Sequence, residues 1–268
     1  MTRLQLFEWE DQPWLPCVIR NYLTDHLCFG LGSEQTRALH RAIAEILKPA
    51  MERLGTHAII DLCSGGGGPL LAVQRHLRTE MQFPATVTLT DLYPNVPAFR
   101  RAQESSNGNV RACFESVSAF DVPCELSGLR TLFTAFHHFH PADARRVLQD
   151  AISKGQGIAV LEPFERSLRM AAFLGWAGIV RGLALTPRLG PMTPGRFALT
   201  YLLPVAPAVV AWDGVVSSLR SYTVSELLGL AASVAGDRHT WDAGQVPVAT
   251  QAGTISLTYL VGLPAAAR

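Results

Sequence analysis

The stretch that decides the fold reads Ile59-Ile60-Asp61-Leu62-Cys63-Ser64-Gly65-Gly66-Gly67-Gly68. It begins inside an apolar run, residues 57–62, of the kind that forms a strand buried on both faces of a parallel sheet. The four glycines allow the backbone to approach a ligand closely. Pro69 suits the first turn of a helix over 70–77, because that turn does not need its missing N–H. Strand, glycine turn and helix N-terminus together predict a ligand site at the carboxyl end of the sheet.

The same alternation of short apolar run and helical pattern is repeated along the first 165 residues. It predicts strands at 57–62, 85–92, 110–116, 129–136 and 157–164, and helices at 34–54, 94–105 and 141–153. Five such units are typical of an α/β protein with a parallel sheet. Further on, we expect an amphipathic helix over 223–235 and two strand-like runs, 239–245 and 254–264. A loop over 246–253 would join these runs as an antiparallel hairpin at the sheet edge.

The residues around the glycines indicate which ligand the turn binds. The dinucleotide fingerprint fails, because its third glycine position holds Leu70 or Leu71, and a P-loop would need a lysine that is absent. Asp61, just before the glycines, would repel a pyrophosphate and attract an ammonium group. Asp91 closes the second predicted strand, where an acid can accept hydrogen bonds from both ribose hydroxyls. A cationic amino acid joined to a ribose without phosphate describes S-adenosylmethionine.

With these features, residues 56–165 resemble the class I S-adenosylmethionine-dependent methyltransferases. The resemblance implies an α/β fold with a Rossmann-like, seven-stranded, mostly parallel sheet of order 3-2-1-4-5-7-6 and helices on both faces. It also implies that the amino-acid part of the cofactor is held by Asp61, Ser64, Gly65 and Gly67. Asp91 would hold the ribose and Leu92 would lie against the adenine.

This chain departs from the family pattern at two positions. Cys63 stands where the family usually has a glycine, and Ser118 stands where it usually has an acid facing the adenine amino group. The resemblance therefore assigns adenine recognition to the Ser118 hydroxyl and the Ala119 backbone.

A histidine-rich segment, Phe136-His137-His138-Phe139-His140, follows the fourth predicted strand. The family places this segment opposite the transferred methyl group, so His137 or His138 is a candidate general base. A packing role for the pair is equally open, and His140 is expected to cap the next helix. Zinc binding by the three histidines is disfavoured, because adjacent residues of a strand point to opposite faces. No metal is expected.

Glu162 ends the fifth predicted strand and also reaches the cleft. It is a candidate for orienting the substrate or a catalytic histidine. The alternative is a loop carboxylate in water.

Composition narrows the function class. The 268 residues carry a net charge of +1, which argues against a nucleic-acid partner. Five cysteines, an odd number without CxxC spacing, indicate a reducing compartment. No apolar run resembling an export signal opens the chain, so a cytoplasmic location is expected.

Hydrophobic residues make up 48% of the chain and charged residues 17%. The longest apolar runs, 197–212 and 170–180, are shorter than the roughly 20 residues of a membrane span. Burial around a core is the favoured interpretation, and a lid over a lipophilic substrate or a membrane-surface contact remains open. Asp213 and Arg220 are expected to pair with each other. The segment with Trp14 and Arg20 resembles the start of a group of bacterial methyltransferases, which implies that it covers the cofactor.

These observations divide the chain into four parts. They are an N-terminal helical cap (1–55), a cofactor-binding core (56–164), an apolar helical insertion after the fifth strand (165–222) and a C-terminal helix with a strand hairpin (223–268). The expected function is methyl transfer from S-adenosylmethionine to a small hydrophobic or aromatic acceptor. A catalytically silent binding protein of the same fold and, less favoured, an NAD(P)-dependent oxidoreductase are the alternatives. The acceptor atom and the oligomeric state stay open.

Overall fold

The computed structural model describes residues 1–189, 192–234, 239–250 and 253–265. These residues build one seven-stranded sheet of order β3-β2-β1-β4-β5-β7-β6, in which only β7 runs antiparallel to its two neighbours. The strands are β1 (Ala58–Leu62), β2 (Thr86–Leu89), β3 (Val110–Ala112), β4 (Leu129–Phe133), β5 (Ile158–Glu162), β6 (His239–Thr250) and β7 (Gly253–Pro264). The predicted strand order is confirmed.

Nine α-helices lie in the described part of the chain. They are α1 (Cys17–Leu31), α2 (Arg37–Leu54), α3 (Gly68–Thr79), α4 (Val96–Glu104), α5 (Pro141–Ser153), α6 (Leu168–Leu185), α7 (Pro194–Phe197), α8 (Val205–Arg220) and α9 (Val224–Val234). Short 3₁₀ turns occupy Glu34–Thr36, Phe136–His138 and Thr186–Arg188, and one π turn occupies Ala198–Leu202. Helix α5 matches its predicted range, and α3 extends the predicted 70–77 by two residues at each end.

Helices cover both faces of the sheet, because successive residues of a buried strand point in opposite directions. Ile59 packs in one apolar cluster with residues of α2 and α3, whereas Ile60 packs in a second cluster with residues of α5 and α9. Both side chains are at most 3% exposed. Each such side chain contributes roughly 1.5–3 kcal/mol when fully buried.

The C-terminal hairpin is longer than predicted. Strand β6 continues through the expected loop to Thr250, which pairs with Gly253, so the loop assigned to 246–253 is wrong. Pro247 lies within β6 opposite Ser256, although proline cannot donate to a strand ladder. It is accommodated here because β6 is the edge strand of the sheet.

Helices α6 and α8 form a pair with an unusually close approach. A Cβ atom added to Gly178 would lie 2.5 Å from Cα of Ala211, and one added to Gly182 would lie 2.9 Å from Cβ of Pro207. Small residues therefore fill the contact between the helices, and the bulky residues of α6 point away from it.

This arrangement corrects the expectation of burial for α6, whereas α8 buries residues such as Val209 and Val216. On the outward face of α6, Leu168 is 72% exposed and Trp176 is 65% exposed. The stretch Leu168–Arg188 has 21 residues, and it contains an 18-residue window with a mean hydropathy of 1.4 of which only 22% is buried. By length and composition alone it could cross a membrane, so the sequence-based exclusion on length is wrong for this helix. The prediction failed because it ended the run at Val180, whereas the helix continues past Arg181.

Candidate active site

The glycine-rich loop forms one wall of a cavity of about 230 Å³ at the carboxyl ends of β1 and β2. The loop keeps its shape through left-handed backbone at Gly65 (φ 55°) and Gly67 (φ 88°). The hydroxyl of Ser64 donates to the carbonyl of Asp61, and its backbone N–H donates to the carbonyl of Thr90. The loop therefore joins the ends of two neighbouring strands, as the sequence predicts for a ligand-binding turn.

Asp91 lines this cavity with both carboxylate oxygens oriented by backbone donors. Its Oδ2 accepts from Gly65 N at 2.8 Å, and its Oδ1 accepts from Tyr93 N at 2.8 Å. Each oxygen can still accept one further hydrogen bond. The carboxylate is thus fixed in position with free acceptor capacity toward the cavity.

Asp61 lies deeper in the same cavity and is only 3% exposed. Its Oδ1 accepts a hydrogen bond of 2.7 Å from the hydroxyl of Thr131 on β4. Burial raises the pKa of Asp61 to about 7, a shift that the Thr131 hydrogen bond opposes and the charge of Asp91 increases. A cation bound beside Asp61 would favour the ionised form of its carboxyl group.

The predicted adenine contacts are only partly brought together. Leu92 lines the cavity beside Asp91. Ser118 and Ala119 do not line it. The Ser118 hydroxyl instead accepts from Phe120 N at 3.2 Å, and Ala119 is buried in the apolar core.

His137 and Glu162 form a buried pair behind this cavity. His137 is 2% exposed, its backbone N–H donates to Glu162 Oε1 at 3.1 Å, and its Nδ1 lies 2.9 Å from Glu162 Oε2. Glu162 is fully buried, so the alternative of a solvated loop carboxylate is wrong. The end of β5 thus holds the ring of His137 in one orientation.

His138 turns to the same side as His137, contrary to the sequence argument. The two residues belong to a 3₁₀ turn rather than to a strand, and their ring centroids are 4.4 Å apart. Both rings face Glu8, whose Oε2 lies 2.7 Å from His138 Nδ1 and whose Oε1 lies 3.7 Å from His137 Nε2. His140 occupies the N-cap position of α5, as expected, but its side chain makes no capping hydrogen bond.

The charges around His138 reinforce one another. Burial disfavours its charged form, but the carboxylates of Glu8 and Asp11 raise the pKa of His138 well above its usual value. Burial by itself would favour the neutral acid of Glu8, but the positive charge of His138 lowers the pKa of Glu8. The result is a compact ionic cluster with little access to water.

The N-terminal segment that carries these acids is bound to α8. Asp213 accepts from the backbone N–H groups of Trp9 (2.9 Å) and Glu10 (3.2 Å), and Arg220 lies 2.6 Å from Asp11 Oδ2. The expected pairing of Asp213 with Arg220 is therefore wrong. The two residues are seven positions apart on one helix, and each reaches the N-terminal segment instead.

Glu8, Glu10 and Asp11 are the site residues that the sequence analysis missed. A signal was present, since three acids within four positions are unusual in a chain with 17% charged residues. Burial, with the charge of His138 opposing it and that of Asp213 adding to it, raises the pKa of Glu10 to about 8. Its side chain lines the boundary between the first cavity and a second one.

The second cavity adjoins the first and is mostly apolar. It has a volume of about 130 Å³, and its apolar walls come from α1, α6 and α8. His138, Glu10 and Thr134 line both cavities. Thr134 has a φ of 49°, which is uncommon for a β-branched residue and is characteristic of functional sites.

Comparisons with known proteins rest on structure. No family model matches the chain, and no curated protein matches it in sequence. Among solved structures, the plantazolicin methyltransferase BpumL in complex with SAH is similar over 95% of this chain and 92% of its own, with 14% identity and a TM-score of 0.50. The methyltransferase domain of bacterial CtHen1-C is similar over 87% of this chain and all of its own, with 14% identity and a TM-score of 0.50.

This chain has the class I methyltransferase fold. One of the two departures from the family pattern, Cys63, lies at the start of the glycine-rich loop. Cys63 occupies the position where class I methyltransferases usually have glycine, and its φ is 56°. A left-handed backbone costs a non-glycine residue about 1–2 kcal/mol, so the local conformation itself favours glycine there.

Proposed function

We propose that this chain transfers a methyl group from S-adenosylmethionine to a small, apolar acceptor. The observation that carries the proposal is the pair of carboxylates, Asp61 and Asp91, on either side of the glycine loop in one cavity. The absence of a phosphate-binding lysine or arginine from that loop fits a cofactor without phosphate. The fold alone does not define an activity, so the proposal rests on the residues of this site.

Each part of the cofactor has a partner of suitable chemistry. Asp91 offers free acceptor sites to the ribose hydroxyls, and Asp61 offers a carboxylate to the ammonium group. Glu10 stands at the junction of the two cavities, where the sulfonium would lie. A wall of carboxylates in a low-dielectric cavity attracts a cation more strongly than it would in water.

The second cavity would hold the acceptor. Methyl transfer from a sulfonium is an in-line displacement, so alignment of the two reactants supplies much of the rate enhancement. Apolar walls from Leu23, Leu174 and Val210 suit a hydrophobic or aromatic molecule. The general-base role predicted for the histidines remains a prediction, and His138 is the one that lines both cavities.

Calorimetric titration with S-adenosylmethionine and S-adenosylhomocysteine tests the cofactor. We expect micromolar binding to the wild type. Replacing Asp91 by Ala should weaken binding by about 30-fold or more, because two charge-assisted hydrogen bonds are lost. The partly exposed Asp143, which pairs with Arg146 on the surface, provides the matched control in Asp143→Ala.

The same titration separates the alternatives. Unchanged affinity in Asp91→Ala would contradict the ribose role. Binding of NADPH in place of S-adenosylmethionine would favour an oxidoreductase. Cofactor binding without release of S-adenosylhomocysteine, across a broad acceptor screen, would favour a catalytically silent protein.

A further inference from the structure

The ring of His137 ends in a buried nitrogen without a hydrogen-bond partner. Its Nδ1 faces Glu162 Oε2 at 2.9 Å, which assigns the ring proton to Nδ1 and leaves a lone pair on Nε2. Nε2 is buried, forms no hydrogen bond and faces Glu8 Oε1 at 3.7 Å. A lone pair and a carboxylate oxygen repel each other, so this space favours a cation.

Three donor atoms converge on that space. Glu8, His137 and His138 each offer one ligand atom there, and these atoms lie within 4.8 Å of one another. His138 Nδ1 lies 2.7 Å from both Glu8 Oε2 and Asp11 Oδ1, so a metal ion bound to Nδ1 would displace the proton that these carboxylates share with it. Ligands of a tetrahedral metal ion at about 2.1 Å are separated by roughly 3.4 Å. The separations of 2.7 and 3.7 Å from Glu8 to the two rings bracket that value.

The fixed charges around the cluster leave an excess of negative charge. Glu8, Asp11 and Glu162 are carboxylates in contact with the two rings, and Arg220 supplies one guanidinium, 3.5 Å from Glu8. Two further positive charges would balance the cluster. A divalent cation supplies that charge.

We propose that Glu8, His137 and His138 bind a divalent transition-metal ion such as Zn²⁺. Two imidazoles and one carboxylate are a ligand set that such ions accept, with one coordination position left open. Glu162 would act as a positioning residue, because a carboxylate on the distal nitrogen of a histidine ligand fixes the ring for metal binding. The proposal departs from the sequence-based expectation of no metal.

All three ligands line the second cavity, so the open position would face the acceptor. This part of the inference rests on the proposed function, whereas metal binding itself does not. An acceptor hydroxyl bound there would lose its proton to solvent more readily. The methyl group would then pass from sulfur to that oxygen, breaking one C–S bond, forming one C–O bond and leaving a neutral thioether.

The test is titration of the metal-stripped full-length protein with Zn²⁺, followed by calorimetry, and with Co²⁺, followed by visible absorption. We expect one equivalent to bind with micromolar or tighter affinity. Glu8→Gln and His137→Gln should each weaken binding by about 100-fold or more, and Glu162→Gln by about 10- to 100-fold. His140→Gln is the matched control, since His140 is exposed and outside the cluster, and it should bind metal like the wild type.

Circular dichroism of each variant reports whether it is folded. If Glu8→Gln fails to fold, the Co²⁺ spectrum of the wild type decides, because nitrogen and oxygen ligands in a four-coordinate site give intense ligand-field bands. Binding of less than one equivalent to the wild type, or equal binding to His137→Gln, would overturn the proposal. Titration of S-adenosylmethionine on the metal-free protein tests the cofactor site separately.

Discussion

At the residue scale, Asp61 combines deep burial with a proposed role that needs a negative charge. Its carboxyl is 3% exposed, and burial raises its pKa to about 7. Asp91 is the titratable neighbour that acts on it. Below the raised pKa the acid is neutral and loses its attraction for an ammonium group.

We therefore expect the affinity for S-adenosylmethionine to fall as the pH is lowered from 8 to 6, by up to about tenfold per pH unit below the pKa. Calorimetry at constant ionic strength measures this dependence. Asp61→Asn should bind more weakly and depend less steeply on pH, because Glu10, whose pKa is about 8, still titrates in this range. A wild-type affinity that is equal at pH 6 and pH 8 would contradict the role given to Asp61.

The same acid gives a stability prediction of opposite sign. Because its folded pKa lies above its unfolded value, the ionised form destabilises the cofactor-free fold as the pH rises through 7. In urea unfolding without cofactor, Asp61→Asn should exceed the wild type in free energy of unfolding at pH 8. The difference should shrink at pH 5, and a constant difference would contradict the assignment.

At the element scale, α6 and α8 are held together through small residues. In Gly178→Val, the new Cβ would meet Cα of Ala211 at 2.5 Å, so the helices must separate. We expect a loss of about 2 kcal/mol or more in the free energy of unfolding. Gly229→Ala in α9 is the control, because nothing lies within 4 Å of its added Cβ, and it should be neutral or stabilising. Equal stability of the two variants would refute the close contact.

The outward face of α6 keeps the membrane-surface prediction open. It presents Phe173, Trp176 and Val180 with Arg169, and residues 166–212 contain five arginines and no acid. Apolar and cationic residues together favour an anionic lipid surface. Two of these arginines are already paired within the fold, Arg166 with Glu226 and Arg196 with Asp25, whereas Arg169 lies on the outward face itself.

We expect the protein to float with vesicles that contain phosphatidylserine, and Trp176→Ser to weaken this association. Trp14→Ser is the matched control, since Trp14 is equally exposed at 64% but lies in the N-terminal segment. Absence of flotation by the wild type, or a dimer that Trp176→Ser converts to a monomer, would contradict the prediction.

At the scale of the whole molecule, the N-terminal segment completes the site. The carboxylate of Asp213 accepts hydrogen bonds from the backbone N–H groups of Trp9 and Glu10, and Leu4 N donates to Leu219 O at 3.2 Å. These contacts place Glu8, Glu10 and Asp11 over the ends of strands that lie far along the chain. Both cavities are therefore closed by a segment that belongs to no strand of the sheet.

Asp213→Ala removes two hydrogen bonds to a buried carboxylate. We expect it to lower the free energy of unfolding by about 2 kcal/mol and to expose residues 1–16 to limited proteolysis. Asp143→Ala, on the surface of α5, should change stability by less than about 0.5 kcal/mol and leave proteolysis unchanged. Protection of the segment in Asp213→Ala would show that other contacts hold it.

Local sequence patterns by themselves predicted the strands of the sheet and the ligand-binding turn at the carboxyl end of β1. Apolar runs at 57–62 and 157–164 and the glycines after Cys63 predict strands and a ligand-binding turn, because hydrophobic period and backbone freedom are local properties. The strand order followed from the resemblance to a family. Asp91 was found for the same reason, since the carboxyl ends of parallel strands meet at one edge.

Only the tertiary structure decided the chemistry at the second cavity. Glu8 and His137 are 129 positions apart, and no local pattern states that they meet. The 3₁₀ turn at Phe136–His138 brings both rings to one side, whereas the strand assumed from the sequence would have separated them. The outward face of α6 is likewise set by the glycines that contact α8, because apolar content alone does not say which residues a helix buries.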